Sequence, residues 1–282
     1  MNGRKIKKGF AHFPGYLIVT IWVIFTFILI GRVILASFST TRNIFSGKVF
    51  DFSGGFHVEN YVKAWTTQNV SVYFMNSLIY TILSCTVLIL VSAPAAYVLS
   101  RFAFKGNELI QNLFAAALGI PLIMIIMPLF SMATKAHIND SKGLIILLYI
   151  CTNIPFTTFF LNTFFHNLSR TSEEAAAIDG CSPIKKFWKI MFPLAQPGII
   201  TVTIFNFITI WNEYFISLIF ANSPQNRPVA VGLYSMIQSM KYTGDLGGMF
   251  AAVVIVFLPT FILYLFLSEK IIAGVTGGAI KG

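Results

Sequence analysis

The sequence is poor in charge and poorer still in acid. Of its 282 residues 11% are charged, and ten acidic residues stand against 20 lysines and arginines. Soluble domains carry about 25% charged residues, so an ordinary water-covered surface is excluded. Cysteine is scarce too: Cys85, Cys151 and Cys181 lie far apart, without metal-ligand spacing or a disulfide framework. Each reads as a small hydrophobe. A phosphate-cradling G-x-x-x-x-G-K-[ST] loop is missing, because Gly47-Lys48 would need glycine at position 42, which is Arg42. Without that loop the chain has no visible means of hydrolysing ATP. Carboxylate pairs and nucleophile–base arrangements are lacking as well, so neither an enzyme nor a bound cofactor is expected. The formal charge of +10 could fit nucleic acid, but the basic residues flank apolar runs instead of forming one stripe.

Apolar residues make up 56% of the chain, and the mean hydropathy is +0.76. They gather in six runs, at about 16–35, 73–99, 109–132, 143–165, 197–220 and 248–267. Each meets the roughly 20 residues a helix needs to cross the hydrocarbon core. The first follows Arg4, Lys5, Lys7 and Lys8; it is too long for a signal-peptide core and lacks a small-residue cleavage site. It reads as an uncleaved span with Arg32 snorkelling at its far end. Pro94, Pro121, Pro128, Pro155 and Pro259 lie inside the runs, where neighbouring helices can satisfy the freed carbonyls. The expected fold is an all-α polytopic membrane protein, a single transmembrane domain of six helices over 1–282.

Lysine and arginine fix the expected orientation. With the N-terminus inside, cytoplasmic segments hold twelve and external segments seven, Arg32 being within a span. The positive-inside rule then places both termini in the cytoplasm.

One polar stretch, at about 169–193, separates the fourth and fifth runs and holds Glu173, Glu174 and Asp179. It reads as helix, turn, helix. Thr171 is expected to cap the first helix, with Glu174 closing a capping box. Three alanines follow, and Gly180 stops the helix. Ser182-Pro183 restarts it, with Ser at the N-cap and Pro at the first position. Ile184, Phe187, Trp188 and Met191 form an apolar face, Lys185, Lys186 and Lys189 take the other, and Pro193 ends the helix. These residues alone leave open an ordinary amphipathic surface hairpin.

Glu174-Ala175-Ala176, Gly180, Ile190 and Pro193 nevertheless resemble, in identity and spacing, the Glu-Ala-Ala motif of inner-membrane permease subunits of bacterial ABC importers. Phe192 stands where leucine is usual, and Ser169 and Ser172 replace a proline and a leucine often found upstream. Asn76-Ser77, Ala95-Ala96-Tyr97, Ser100-Arg101-Phe102, Phe104-Lys105-Gly106, Ile154-Pro155-Phe156 and Trp211-Asn212-Glu213-Tyr214 resemble segments of sugar-importer permeases. The tail Thr276–Gly282 is similar to that of the second permease of maltose-type and multiple-sugar importers. The resemblance implies that the hairpin is cytoplasmic and plugs into a separate ATPase, with Glu174, Ala175, Ala176, Asp179, Gly180, Ile190 and Pro193 as coupling residues. ATP would be bound by that partner alone. A second permease subunit, an ATPase dimer and an extracellular sugar-binding protein are the implied partners. The implied location is the bacterial cytoplasmic membrane and the implied cargo an oligosaccharide.

Glu213 is the one acidic residue inside a run. With Trp211, Asn212 and Tyr214 it could offer a sugar hydrogen bonds and an aromatic face, since intramembrane ionisable groups face the bundle interior or a water-filled cavity. Structural glue between helices is the favoured reading, and Asn153, Asn162 and Asn206 are read the same way. The external stretch 221–247 is either a membrane-surface loop or, by the resemblance, a reach toward the binding protein. Two alternatives stand: an ABC permease for a non-sugar solute, and a stand-alone secondary transporter. The second would call for coupling residues and an internal repeat that the chain does not show. Orientation can be checked directly. Cysteines placed at Gly3 and Lys281 should resist an impermeant thiol reagent in intact cells, and efficient labelling of either would refute it.

Overall fold

The computed structural model describes the backbone of residues 3–49 and 55–277, with side chains for 14–49, 55–239 and 244–267. Positions 278–282 of the tail motif therefore lie outside the described residues, as do the side chains of Arg4, Lys5, Lys7, Lys8, Lys241 and Lys270. Every regular element among the described residues is helical. Packing divides the chain into two units: the described residues up to Val70 with Leu233–Phe257, and Ser71–Gly232 with the described residues from Leu258 onward.

The first unit starts with α1 (Gly3–Ser37), whose stretch Pro14–Ser37 has mean hydropathy 2.5 over its most apolar window, none of which is buried by the chain itself. Such a helix needs lipid or another subunit around it. Two short helices follow, α2 (Thr41–Phe45) and α3 (Glu59–Thr66). The carbonyls left over at the end of α1 find partners there. Asn60, 6% exposed, donates to Ser37 O at 2.9 Å and Ser39 O at 3.0 Å, and Ser37 pairs with the Tyr61 hydroxyl at 2.7 Å. Asp245 accepts from Gly248 N at 3.0 Å and from Gln68 at 2.9 Å, capping the last helix of the chain.

The second unit holds α4 (Val70–Arg101), α5 (Asn107–Ala117), α6 (Leu122–Lys135), α7 (Lys142–Asn167), α8 (Thr171–Ile178), α9 (Pro183–Lys186), α10 (Phe192–Leu194), α11 (Gln196–Trp211) and α12 (Phe215–Phe220). The chain continues through α13 (Val229–Thr243) and α14 (Leu246–Gly277). Two clusters form the core of this unit. Tyr80, Leu88, Ile145, Tyr149, Ile210 and Phe220 fill one; Tyr97, Leu161, Phe165, Phe187, Met191 and Val202 fill the other, beside the hairpin. At Gly198 a Cβ would lie 2.5 Å from the Phe164 ring, so only glycine lets α11 approach α7 this closely.

Four helices are long and apolar enough to cross a membrane unbroken: α1 from Pro14, α4, α7 and α14 up to Leu267. The other two runs differ from straight spans. The run expected at 109–132 is α5 and α6, meeting at 98°. Pro121 causes the break: it disfavours helical geometry at Ile120, and its own φ of −66° and ψ of 127° start α6 afresh. Pro94, Pro128, Pro155 and Pro259 stay inside continuous helices. The run expected at 197–220 ends its helix at Trp211 and resumes at Phe215, and its start bends 74° from the helix before it. Residues 229–243 of the expected external loop are helical.

Opposite the hairpin, the unit is tied by a polar knot. Asn76 donates to Gln225 O at 2.7 Å and Arg227 O at 3.0 Å, Tyr80 to Asn226 O at 2.8 Å, and Lys142 to Asn76 Oδ1 at 2.8 Å. Asp140, at φ +57°, accepts from Ser223 N at 3.1 Å and from the Asn226 amide at 3.2 Å. Burial opposes ionisation of Asp140, but the hydrogen bonds from Ser223 and Asn226 outweigh it and hold its carboxyl below the ordinary value. A depressed folded value means the stabilisation is complete above the usual aspartate value of about 3.9 and is lost as pH falls through the lower folded value. Asparagine tolerates positive φ as well as aspartate does, so Asp140→Asn isolates the charge. It should lower stability by about 1–2 kcal/mol at pH 7 and erase part of the loss below pH 4. Thermal unfolding of the detergent-solubilised protein against pH checks both.

Candidate functional site

The hairpin is built from α8, the Gly180 turn and α9–α10. Its turn follows the sequence closely. Gly180 has φ +74°, Cys181 N donates to Ala176 O at 3.0 Å, and Gly180 N to Ala177 O at 3.1 Å. This is the Schellman pair of bonds, and it needs the left-handed residue that glycine supplies without strain. Ser182 then caps the second helix by accepting from Lys185 N at 3.4 Å, with Pro183 in its first position.

The start of α8 corrects the expectation. Thr171 lies within the helix and makes no capping box; Arg170 is the N-cap residue, without a side-chain bond, and its carbonyl receives Glu173 N and Glu174 N at 3.0 and 2.9 Å. With Arg170 as cap, Glu173 occupies the reciprocal position, but its carboxylate is engaged elsewhere. The Tyr97 hydroxyl donates to Glu173 Oε1 at 2.6 Å, and Arg101 Nε stands 3.5 Å from Oε2. That spacing pairs the charges without a hydrogen bond, leaving Arg101 Nε unbonded. Arg101 Nη2 meanwhile donates to Leu168 O at 2.7 Å, the carbonyl where α7 ends. The Arg101 side chain is 3% exposed and that of Glu173 14%. Tyr97, Arg101 and Glu173 therefore lock the ends of α4 and α7 to the first turn of α8. An uncharged partner would leave a buried charge, which is costly.

The second helix also differs from a plain amphipathic repeat. Phe187–Met191 forms a π-turn, which adds a residue to the turn and rotates the face. Phe187 and Met191 are buried beneath the bundle, packing with Tyr97 and Phe165. Ile184 is left 75% exposed, and Ile178, just before the turn, 87%. The helix runs one residue past Pro193, to Leu194. Glu174, Ala175, Asp179 and Gly180 lie on the hairpin surface, Ala176 is buried against it, and Ile190 and Pro193 sit at its far end, half-buried and exposed. Glu174 shares a cavity of about 190 Å³ with Arg101, Arg170, Glu173 and Lys186.

The residues 211–214 cluster at the break after α11. Glu213 accepts from Ile216 N at 2.7 Å, Ser217 N at 3.1 Å and the Tyr149 hydroxyl at 3.1 Å, while Tyr149 also bonds Ser217. Its carboxylate thus supplies the acceptors that the first turn of α12 lacks. Trp211 is 2% exposed, stacked on Phe207 and edge-on to Phe74, so within this chain it offers no open aromatic face. Asn212 is exposed and donates to Ile208 O at 2.8 Å, and Tyr214 is half-buried. Asn206 donates to Thr157 at 2.9 Å, and Asn153 to Tyr149 O at 2.8 Å. A cavity of about 520 Å³ is lined by apolar residues such as Ile125, Leu129 and Leu148. Among the described residues no cluster of His, Cys, Asp or Glu could hold a metal.

These features define a multi-pass helical membrane protein with a polar hairpin tied to the ends of two long helices. Residues 89–269 match the family described as binding-protein-dependent transport system inner membrane component, and the chain belongs to that family. It is 32% identical to the diacetylchitobiose uptake system permease protein of Streptomyces coelicolor, over 94% of this chain and 88% of that one. Against the sulfoquinovosyl glycerol transport system permease protein of Agrobacterium fabrum the identity is 30%, over 94% and 89%. The trehalose transport system permease protein of Mycobacterium tuberculosis is 26% identical, over 93% and 98%. The fold matches the crystal structure of a bacterial ABC transporter involved in the import of the acidic polysaccharide alginate, with TM-score 0.83, 21% identity and coverage of 93% and 97%. These relatives are transport permeases, not enzymes.

Glu213 gives a sharp test. Glu213→Gln keeps the shape but turns an amide toward backbone donors, so the assembled protein should lose about 1–3 kcal/mol while its solute preference stays the same. Assembly and competition transport in reconstituted vesicles read the two effects separately. Normal stability with an altered preference would put Glu213 on the solute path.

Proposed function

We propose that the chain is one of two transmembrane subunits of an ATP-driven oligosaccharide importer in the bacterial cytoplasmic membrane. Residues 1–282 act as one six-span transmembrane domain, with α5–α6 and α11–α12 each taken as one interrupted span, and with both termini and the hairpin in the cytoplasm. A second permease completes the path, an ATPase dimer takes the two hairpins, and an extracellular binding protein delivers the sugar. The family and the saccharide-named relatives support the importer and its cargo class.

The observation that carries the coupling role is the arrangement of the hairpin. Its inner side is locked to the bundle through Glu173, Arg101 and Tyr97, whereas Ile178 and Ile184 flank the turn and are exposed. Exposed isoleucines on an otherwise polar element mark a contact surface. ATP closing the partner subunits would carry the hairpins together, and the lock would pass that movement to α4 and α7. The cycle is a population shift between two packings, biased by the partner's nucleotide.

Because Ala176 is buried, enlarging it probes the fold more than the docking. Ile178→Glu with Ile184→Glu is the better test. Membrane insertion and thermal stability of the isolated permease should be unchanged, and ATPase recovered by pull-down should fall at least tenfold. Wild-type recovery would remove the hairpin from the docking surface. Which sugar is carried follows from screening an oligosaccharide panel against the partner binding protein; a protein that retained only non-sugar solutes would overturn the cargo class.

A further inference from the structure

We propose that α3 is a membrane-interface helix whose Val58, Val62 and Trp65 face is seated in the headgroup–acyl boundary of the lipid bilayer. The seat rests on α1 and α14 being spans, and its assignment to the outer leaflet rests on the orientation proposed above. Seated this way, α3 fixes the depth at which α1 ends and α14 begins.

The side chains of α3 sort into three sectors. At about 100° per residue, Asn60, Tyr61 and Ala64 share one side, Glu59, Lys63 and Thr66 a second, and Val58, Val62 and Trp65 a third. Val58, the N-cap residue, has helical φ of −64° and ψ of −23°, so it extends the third sector without a break. The first sector faces the chain: Asn60 is 6% exposed, Ala64 is fully buried and Tyr61 half-buried. The second is polar and exposed. The third is apolar, yet Val58, Val62 and Trp65 are 57, 59 and 39% exposed. A surface helix in water turns an apolar side to its core and a polar side to solvent; a second, exposed apolar side has no place in that scheme. A helix laid along the edge of a bundle at the membrane surface meets three surroundings instead. Protein lies beside it, water above it and acyl chains below it, and the three sectors match them.

The contacts of the first sector set the depth. Asn60 bonds the carbonyls of Ser37 and Ser39, where α1 ends. Just past α3, Gln68 donates to Asp245, the residue before α14, at 2.9 Å. Between them Ala64 joins Ala251 and Ala252 of α14 in one buried cluster. A Cβ at Gly247 would lie 2.6 Å from Asn60 Nδ2, so glycine is what lets α14 start this close to α3. The helix therefore lies beside the first two turns of α14, a zone about 9 Å deep at 1.5 Å per residue. Interfacial helices bury their apolar face by roughly 5–10 Å, which is the same zone. After Asp245 the chain has no charged residue until Glu269, so the hydrocarbon core begins just below this level. Charge selects lipid as the occupant. Among the described residues between α1 and α4, Arg42, Lys48 and Lys63 are exposed cations against one acid, Glu59. Cations at this level suit phosphate headgroups, and a tryptophan on the apolar side suits the aromatic belt of a membrane interface.

The test reads tryptophan emission from the complete complex in vesicles. The wild-type signal minus that of Trp65→Phe gives the Trp65 share. Lipids brominated high in their acyl chains should remove most of that share, and aqueous iodide should remove little of it. On the Trp65→Phe background, Val62→Trp should be quenched as Trp65 is, and Lys63→Trp should show the reverse, open to iodide and spared by the lipid. Iodide quenching of Trp65 and Lys63→Trp alike would put the face in water. Shielding of Trp65 from both quenchers would put it under a protein, the second permease or the binding protein. Either result overturns the interfacial seat and leaves the importer reading intact. Iodide reaching Trp22, read in the same way through Trp22→Phe, would overturn the span of α1 itself.

Discussion

A bilayer core offers no water to a broken backbone, so each helix end inside or near it must find its partners within the protein. The shape of this chain follows from that constraint. Where α1 ends, Asn60 takes the carbonyls of Ser37 and Ser39. Where α11 breaks, Glu213 takes the amides of Ile216 and Ser217. Where α7 ends, Arg101 takes Leu168 O, and in the segment before α13, Asn76 takes Gln225 O and Arg227 O. Each interruption is thus met by a polar side chain of an otherwise apolar sequence. These side chains have a structural task before any question of solute arises.

The tie among Tyr97, Arg101 and Glu173 shows the same logic serving mechanics. A buried pair of this kind adds little net stability, because desolvation offsets the Coulomb attraction. What it adds is geometry: a helix of eight residues cannot hold its own direction in water, and α8 is fixed by contacts to two long helices. The Gly180 turn and the π-turn at Phe187–Met191 then set how the second helix returns. Phe187 and Met191 point into the bundle, and the turn projects outward with Ile178 and Ile184 bare.

Much of this was legible from residue order. Gly180 and Ser182-Pro183 are local signals with one cheap conformation each, and they form the turn as expected. The long apolar runs are helices because nothing else satisfies their backbones. The misses are tertiary. Nothing local distinguishes Glu173 from Glu174, and the choice is made by Tyr97 and Arg101, 76 residues away for the Tyr97 bond. Arg101, at the end of an apolar run, calls for one of the few acids in the chain, but nothing in the residue order says which one. The π-turn was invisible, since periodicity assumes an unchanged turn, and the helix starts one residue earlier than expected, with Arg170 at the N-cap in place of Thr171.

The break at Leu118–Pro121 has a further consequence for packing. A straight helix over 109–132 would carry its side chains past α7 along one continuous seam. The 98° bend instead separates two different walls: α5 brings Gln111 and Asn112 to α7, and α6 brings Ile125 and Leu129. One proline thus divides the space beside α7 into a small polar chamber and a larger apolar one.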